Sequence, residues 1–566
     1  MVQFTINEQI EQLKKQYNIV DIVNLGQWPA DNYDQGKTWL VDILNKLRKN
    51  SFDNNERIIF TLAQDYYVQG NRAGLILKNL QVLLNEVDIT NCFVILLSTN
   101  TQLEHELTEV DNLDNTSMTI IKCVGEYNRV ALKNHPHSYK ETYQYGSANP
   151  IKIKLSDISP RENYLLTNSK MFCMYPWIHL HAFPTGDAHP CCYSEMNHGL
   201  GSTKTSTLQE IWNDQPMRDL RQRMLTEQSS GACAKCYEQE QAGFFSGRQS
   251  ANKHFGHYIN RVSETQPDGR LERFEMTYWD IRFSNLCNLS CRSCGHIFSS
   301  SWYQDQARLA GGDWAKHNRV LNYAGRTETD IWEQLIPHLD YVEQIYFAGG
   351  EPLMMAEHYN ILDELERRGR FDVRLIYNTN FTHVKLKDRY VFDYWKKFKS
   401  VSVGASLDAM GPRAEYIRKG TNWATVEDNR RRMLDTCPEV DFYISPTLSI
   451  MNALHLPDFH RSWVDQGFIR AQDLNVNILQ DPAHFRIDIA TPEYKQQIKN
   501  LFDQHLEWLR PQDHLQRASV GFESAIKFMN STDNTHLLDK FWTKTQQLDS
   551  IRQENILEVI PELKAL

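Results

Sequence analysis

The run Phe283-Ser-Asn-Leu-Cys287-Asn-Leu-Ser-Cys291-Arg-Ser-Cys294-Gly295 decides how the rest of the chain is read. It follows Phe274–Phe283, where apolar and polar residues alternate with the period of a β-strand. Three cysteines, with three and then two residues between them, therefore sit in the loop that leaves a strand. Thiolates are soft ligands suited to iron–sulfur clusters or zinc. A tetrahedral zinc and an ordinary four-iron cluster both want four protein ligands, and this loop supplies three. On spacing alone two readings stay open. One is a zinc knuckle completed by a distant residue, or simply buried thiols; the other is a four-iron cluster with one iron left open for a small molecule.

The chain around this loop has 566 residues, too many for one hydrophobic core, so two to four domains are expected. Apolar residues make up 41% and charged residues 23%, the composition of a globular protein rather than a disordered or fibrous one. No apolar run reaches the roughly 20 residues of a membrane helix, and Met1–Ile10 lacks the pattern of a secretory signal. A cytoplasmic location is the expectation. The net charge of −10 argues against a broad nucleic-acid footprint. Of eleven cysteines, Cys92, Cys123 and Cys437 read as packed thiols, while the other eight cluster between 173 and 294. Clustered cysteines without an export signal point to metal or redox chemistry rather than structural disulfides.

Residues 1–150 read as an α/β domain. The apolar runs Arg57–Ala63, Cys92–Ser98 and Met118–Val124 have strand length, and Ala73–Leu84 has a helical pattern, which together suggest a small parallel sheet. Residues 165–250 hold a cysteine-rich module: Cys173, Gly186, Cys191 with Cys192, a helix-like stretch Leu208–Met224, then Cys233-Ala-Lys-Cys236. Glycine before the cysteine turn allows a tight bend, and the Cys233/Cys236 pair is a chelating bite for zinc or iron–sulfur. With one of Cys191 and Cys192, four thiolates are available. His179, His181 and His189 are further candidates, although single histidines are more often ordinary core or surface residues.

From residue 270 to 485 strand and helix signals alternate, with strands ending at Phe283, Ala348, Tyr377, Ala405, Ser445 and Leu479. Polar residues recur at these ends, where parallel α/β sheets assemble their sites. Residues 486–566 read as helices, the first capped by Thr491 with Pro492 in its first turn.

In these features the chain resembles the radical S-adenosylmethionine (SAM) enzymes that carry a SPASM or twitch auxiliary-cluster domain. The residues carrying the resemblance are Cys287, Cys291 and Cys294 after the first strand, Gly349-Gly350-Glu351-Pro352 after the second, Ser406-Leu-Asp408 at a later strand end, and the Cys173-to-Cys236 module. The fold implied is a partial (β/α)6 barrel, with the N-terminal α/β domain, the twitch-like module and the helical C-terminal region around it. The resemblance implies two 4Fe-4S clusters. Cys287, Cys291 and Cys294 would hold the one that binds SAM; Cys173, Cys191, Cys233 and Cys236 would hold an auxiliary one, with Cys192 as the alternative to Cys191. Gly349, Gly350, Glu351 and Pro352 would receive the SAM amino group, and Ser406, Arg418, Asn378 and Asn380 would contact its ribose or carboxylate. The chemistry implied is reductive cleavage of SAM to a 5′-deoxyadenosyl radical, which abstracts hydrogen from a substrate. An electron donor such as a flavodoxin or ferredoxin would supply the electron.

The chain departs from the family pattern in three places. The module precedes the barrel instead of following it, it lacks the cysteines of a second auxiliary cluster, and Ser293 stands where many members carry an aromatic residue. An oxidoreductase that oxidises or cross-links a peptide or protein side chain is the leading expectation. A small-molecule radical enzyme acting on sugars or nucleotides is the main alternative, and a zinc-stapled binding protein without catalysis is the third. The sequence names no general acid or base.

Overall fold

The computed structural model describes residues 158–241, 245–514 and 516–566, together with the backbone of seven strands before them. The chain divides into two compact units: residues 1–174 with 247–263, and residues 175–246 with 264–566. In the first unit the strands β1 (Asn18–Asn24), β2 (Glu56–Gln64), β3 (Cys92–Ser98), β4 (Met118–Val124) and β5 (Ala131–Lys133) form one sheet in that order. β1 to β4 run parallel and β5 is antiparallel. The three apolar runs read from the sequence are strands here. β1 was not anticipated, because its sequence NIVDIVN interrupts the apolar run with an aspartate. The expected helix at 73–84 lies outside the described residues.

The second unit is built on an eight-stranded sheet. Three strands come from the module segment: β6 (His179–Ala182), β7 (Asp187–His189) and β8 (Gly201–Ser202). Five follow from the repeating part of the chain: β9 (Tyr278–Ile281), β10 (Gln344–Phe347), β11 (Arg374–Thr379), β12 (Val401–Ala405) and β13 (Asp441–Ile444). The order is β8-β7-β6-β9-β10-β11-β12-β13, and from β6 to β13 every pairing is parallel. The sixth expected strand near 474–479 is reduced to a bridge from Ile444 to Leu474 and a two-residue pairing of Thr447–Leu448 with Asn477–Ile478.

β6 explains how a module placed ahead of the repeating strands is accommodated. It lies parallel beside β9, with His179 opposite Tyr278 and His181 opposite Asp280. Gly186, read from the sequence as allowing a tight bend, makes the β6–β7 hairpin: its φ is +93°, and its N–H reaches the Phe183 carbonyl at 2.9 Å. Left-handed backbone of this kind favours glycine. The expected single helix at 208–224 is two, α1 (Leu208–Trp212) and α2 (Gln215–Leu225). Asp214 caps α2 and Pro216 lies in its first turn, where the missing N–H costs nothing.

The sheet has two unlike faces. Trp279, Ile281, Ile345, Phe347, Leu375, Tyr377, Val403 and Ile444 point to one side and are buried. Tyr278, Asp280, Tyr346, Arg374, Asn378 and Tyr443 alternate with them on the other side, and β10, β11 and β13 show this face only half-buried. Strands of parallel sheets are usually apolar on both faces; here one face is left polar. The C-terminal helices are α4 (Pro492–Leu509), α5 (Arg517–Ser531) and α6 (Leu538–Arg552), preceded in the chain by α3 (Ala356–Arg367), which follows β10. Thr491 Oγ1 accepts from Tyr494 N–H at 3.3 Å, the capping bond its position implied.

Candidate functional site

The three-cysteine loop leaves β9 and folds against the ends of β10, β11 and β12. Its backbone is held from one side by Ser299–Trp302: Ser299 Oγ donates to Leu289 O at 2.5 Å, Ser301 Oγ to Cys287 O at 2.8 Å, and Trp302 Nε1 to Cys291 O at 2.8 Å. From another side the glycine turn after β10 joins it, with Glu351 N–H donating to Leu286 O at 2.7 Å. A Cβ on Gly350 would collide with that same Leu286 carbonyl, so only glycine permits the approach. The two motifs that were far apart in sequence are therefore one structure.

Donors converge on the sulfurs. Arg418 Nη1 lies 3.7 Å from Cys291 Sγ, Asn380 Nδ2 lies 3.9 Å from Cys287 Sγ, and Leu289 N–H lies 3.5 Å from Cys287 Sγ. Ser290–Cys291 also pairs with Arg418–Lys419 as a short antiparallel ladder, which sets Cys291 opposite Arg418. Burial pushes the Cys287 thiol up to about 12. It raises Cys291 as well, while Arg418 works in the opposite direction. Such thiols give up protons only to a bound metal, whose charge replaces theirs. Three thiols in one loop, with cationic and amide donors aimed at them, fit the soft, anionic sulfur environment of an iron–sulfur cluster.

Arg418 is fixed by a fork: Nε and Nη2 donate to the two Asp408 oxygens at 2.8 and 2.9 Å. Asp408 also accepts from Thr447 N–H at 2.8 Å. Asp408 was seen in the sequence only as part of a strand-end motif; its role here is to aim Arg418. Glu351 is wholly buried, and its carboxylate accepts from Thr379 Oγ1 at 2.7 Å, Asn380 N–H at 2.7 Å and Leu353 N–H at 3.0 Å. Burial raises it to about 7 against the pull of these three donors. These bonds make Glu351 the pin between the glycine turn and the end of β11. Ser406 N–H donates to Thr379 O at 2.7 Å, and Asn378 lies on the half-buried polar face. Pro352 begins the short turn Pro352–Met354.

A third restraint on the loop was not foreseen. Arg292, between the cysteines, stacks on Tyr416 with 3.6 Å to the ring centroid and donates to Asp549 at 2.5 Å and Glu554 at 2.6 Å. Arg552 Nη2 adds a bond to Ser290 O at 2.7 Å. The end of α6 thus clamps the loop across more than 250 positions of sequence, and nothing in the sequence near Arg292 named these partners.

In the module segment, Cys173 is buried within the first unit. Within the second, Cys233 closes the turn Gly231–Cys233, Cys236 lies in the helix Ala234–Gln241, and Tyr193 stands beside Cys191, Cys192 and Cys236. Cys192 also lies against Asp280 and Arg282. His179 and His181, read from the sequence as further ligand candidates or ordinary core residues, are wholly buried residues of β6, on the same face as Asp280. Burial lowers His179 to about 4, so it is neutral. Asp280 is held below the usual carboxylate range: burial raises it, and the Arg282 guanidinium with His181 outweighs that.

Residues 173–237 match the SPASM family, described as an iron–sulfur cluster-binding domain. No curated protein matches the chain. Among solved structures, the chain is similar to "Native anSMEcpe with bound AdoMet" at 21% identity, with a TM-score of 0.28, covering 41% of this chain and 60% of that one. It is also similar to "Native anSMEcpe with bound AdoMet and Cp18Cys peptide" at 20% identity, with a TM-score of 0.25, covering 40% and 58%. The chain thus spans less than two thirds of these proteins' length. Among the described residues, no helix is long and apolar enough to cross a membrane.

Proposed function

We propose that the protein is a radical SAM enzyme with one auxiliary iron–sulfur cluster. The observation that carries this reading is the three-thiol loop, locked to the glycine turn and facing Arg418 and Asn380 at the strand ends. Cys287, Cys291 and Cys294 would hold a 4Fe-4S cluster, leaving one iron for the amine and carboxylate of SAM. When bound, that cluster supplies the electron that cleaves SAM to methionine and a 5′-deoxyadenosyl radical. Cys173, Cys191, Cys233 and Cys236 would hold the auxiliary cluster, the SPASM match being the support.

The chain's own residues bind and orient. The Gly349–Pro352 turn would present its backbone to the amino group, and Gly350, where a Cβ would meet the Leu286 carbonyl, lets that turn sit against the cysteine loop. Arg418 carries a fixed positive charge beside Cys291, where it offsets sulfur charge and attracts the SAM carboxylate. Ser406 and Asn378 lie at neighbouring strand ends for the ribose. The half-buried polar face, with Tyr346, Arg374, Asn378 and Tyr443, supplies both hydrogen-bond donors and acceptors for a substrate. Such a mixture suits the amide groups of a peptide or protein, and oxidation or cross-linking of a side chain is the reaction we assign. An external donor such as a flavodoxin or ferredoxin would deliver the electron, and the cytoplasm is the compartment assigned.

Anaerobically reconstituted protein given SAM and dithionite is expected to form 5′-deoxyadenosine and methionine in equal amounts. Zinc without acid-labile sulfide, or no 5′-deoxyadenosine from fully loaded protein, would overturn the reading.

A further inference from the structure

The polar cluster on β6 and β9 has a chemistry of its own. His179, His181 and Asp280 are each 0% exposed, and each offers a donor atom within 4.8 Å of the other two. Their placement follows from register. Residues two apart on a strand share a face, so His179 and His181 of β6 both face the side on which β9 carries Asp280.

His179 Nε2 and His181 Nε2 are buried without a partner among the described residues, while His181 Nδ1 and the two Asp280 oxygens meet only in ion pairs. Buried polar atoms are rarely left unpartnered, so two ring nitrogens beside a buried carboxylate call for an occupant. The tautomer of His179 is set from behind: Nδ1 lies 3.0 Å from the Tyr278 carbonyl, which can only accept, so Nδ1 carries the proton and Nε2 presents its lone pair. His181 Nδ1 and Asp280 Oδ2 are 3.3 Å apart. Two ligands about 2.1 Å from one ion are separated by roughly this distance in tetrahedral or octahedral geometry. Arg282 Nη2 stands 3.0 Å from the other Asp280 oxygen, an arrangement that orients a ligating carboxylate from outside. Cys192 and His189 border the cluster, and Arg282 is the cation nearest it.

We propose that His179, His181 and Asp280 bind one divalent first-row transition-metal ion, with Cys192 at the border of the site and no cysteine among its ligands. Two imidazoles and one carboxylate are a donor set for iron(II), manganese(II), cobalt(II) or zinc(II). Three protein ligands leave at least one position for water or a substrate group. The ion ties β6 to β9, and so fixes the module strand to the strand that leads into the three-cysteine loop.

The test uses full-length protein with its clusters reconstituted, desalted and equilibrated with manganese(II). Wild type is expected to hold one manganese per chain, with imidazole nitrogen coupling in pulsed electron paramagnetic resonance. The double variant His179→Ala/His181→Ala should bind it at least about 100-fold more weakly, since losing even an outer partner of a ligand costs 10–100-fold. Cluster absorbance reports whether that variant is folded; if it is not, His179→Gln replaces it, with weaker manganese binding and coupling to one imidazole instead of two expected. No manganese bound by wild type, or binding unchanged in a folded variant, would overturn the proposal. Because the readout is bound manganese and not SAM cleavage, its failure is distinct from failure of the radical SAM reading.

Discussion

The two cysteine regions of the second unit are built differently. The Cys287–Cys294 loop is gripped by distant parts of the chain: the glycine turn, Asn380, the Arg418–Asp408 fork and the end of α6 all reach it. The Gly231–Cys236 stretch forms a turn and the start of a helix, and Glu195 N–H reaches it at Ala232 O at 3.3 Å. A site that must present a reactive position in one orientation needs rigid support from several elements. A chelating bite in a tight turn needs little beyond its own backbone. The difference supports assigning chemistry to the first region and electron transfer or structure to the second.

This contrast can be broken most severely at the first region. Cys291→Ala is expected to reduce 5′-deoxyadenosine formation to background and to lower iron from about eight to about four per chain, on the four-iron cluster assignment. Iron and sulfide assays with product chromatography check it. Arg418→Ala comes next, because it strands Asp408 as a buried charge: a loss of about 3–5 kcal/mol is expected by denaturant titration. Arg418→Lys should recover little, lacking the fork.

Glu351 sharpens the contrast through pH. Its pKa is about 7 in the folded chain against an ordinary value of 4.5. The unfolded chain therefore ionises first as pH rises, so stability falls between these two values and is lowest above the upper one. Unfolding of the cluster-free protein should show wild type losing about 3 kcal/mol across this window relative to its stability below it, at 1.36 kcal/mol per pK unit. Glu351→Gln carries a constant cost, since one of its two head groups must turn a donor toward the N–H of Asn380 or Leu353, but it should show no such slope. Gly350→Ala forces Leu286 and the loop apart, and about 1–3 kcal/mol with weaker SAM binding, seen by calorimetry, is expected. The smallest effect belongs to the Gly231–Cys236 stretch: Cys236→Ala should lose the auxiliary signal and leave SAM binding at the loop unchanged.

Much of the second unit was legible in its sequence. Cys287, Cys291, Cys294 and the Gly349–Pro352 turn stood at strand ends, and the strands announced themselves by an apolar face of Ile345, Phe347, Leu375 and Val403. What was hidden depends on pairing between distant residues. The stretch His179–Ala182 has no strand-like composition, and only its register against Tyr278–Ile281 makes it part of the sheet. That register turns two histidines, which read singly as ordinary, into a cluster with Asp280. The α6 clamp on Arg292 was equally unreadable, because an arginine between cysteines names no partner. Glu351 stood out in the sequence as part of the glycine turn, but its role as a pin emerges only from Thr379, Asn380 and Leu353 closing around it.

The central claim is that one cysteine centre is open to SAM and the other is not. Electron paramagnetic resonance of the reduced, reconstituted protein with and without SAM tests it most directly. The account predicts two cluster signals, of which one shifts on adding SAM, with that shifting signal absent in Cys291→Ala and present in Cys236→Ala. Two signals that both ignore SAM, or a shift that survives Cys291→Ala, would contradict it.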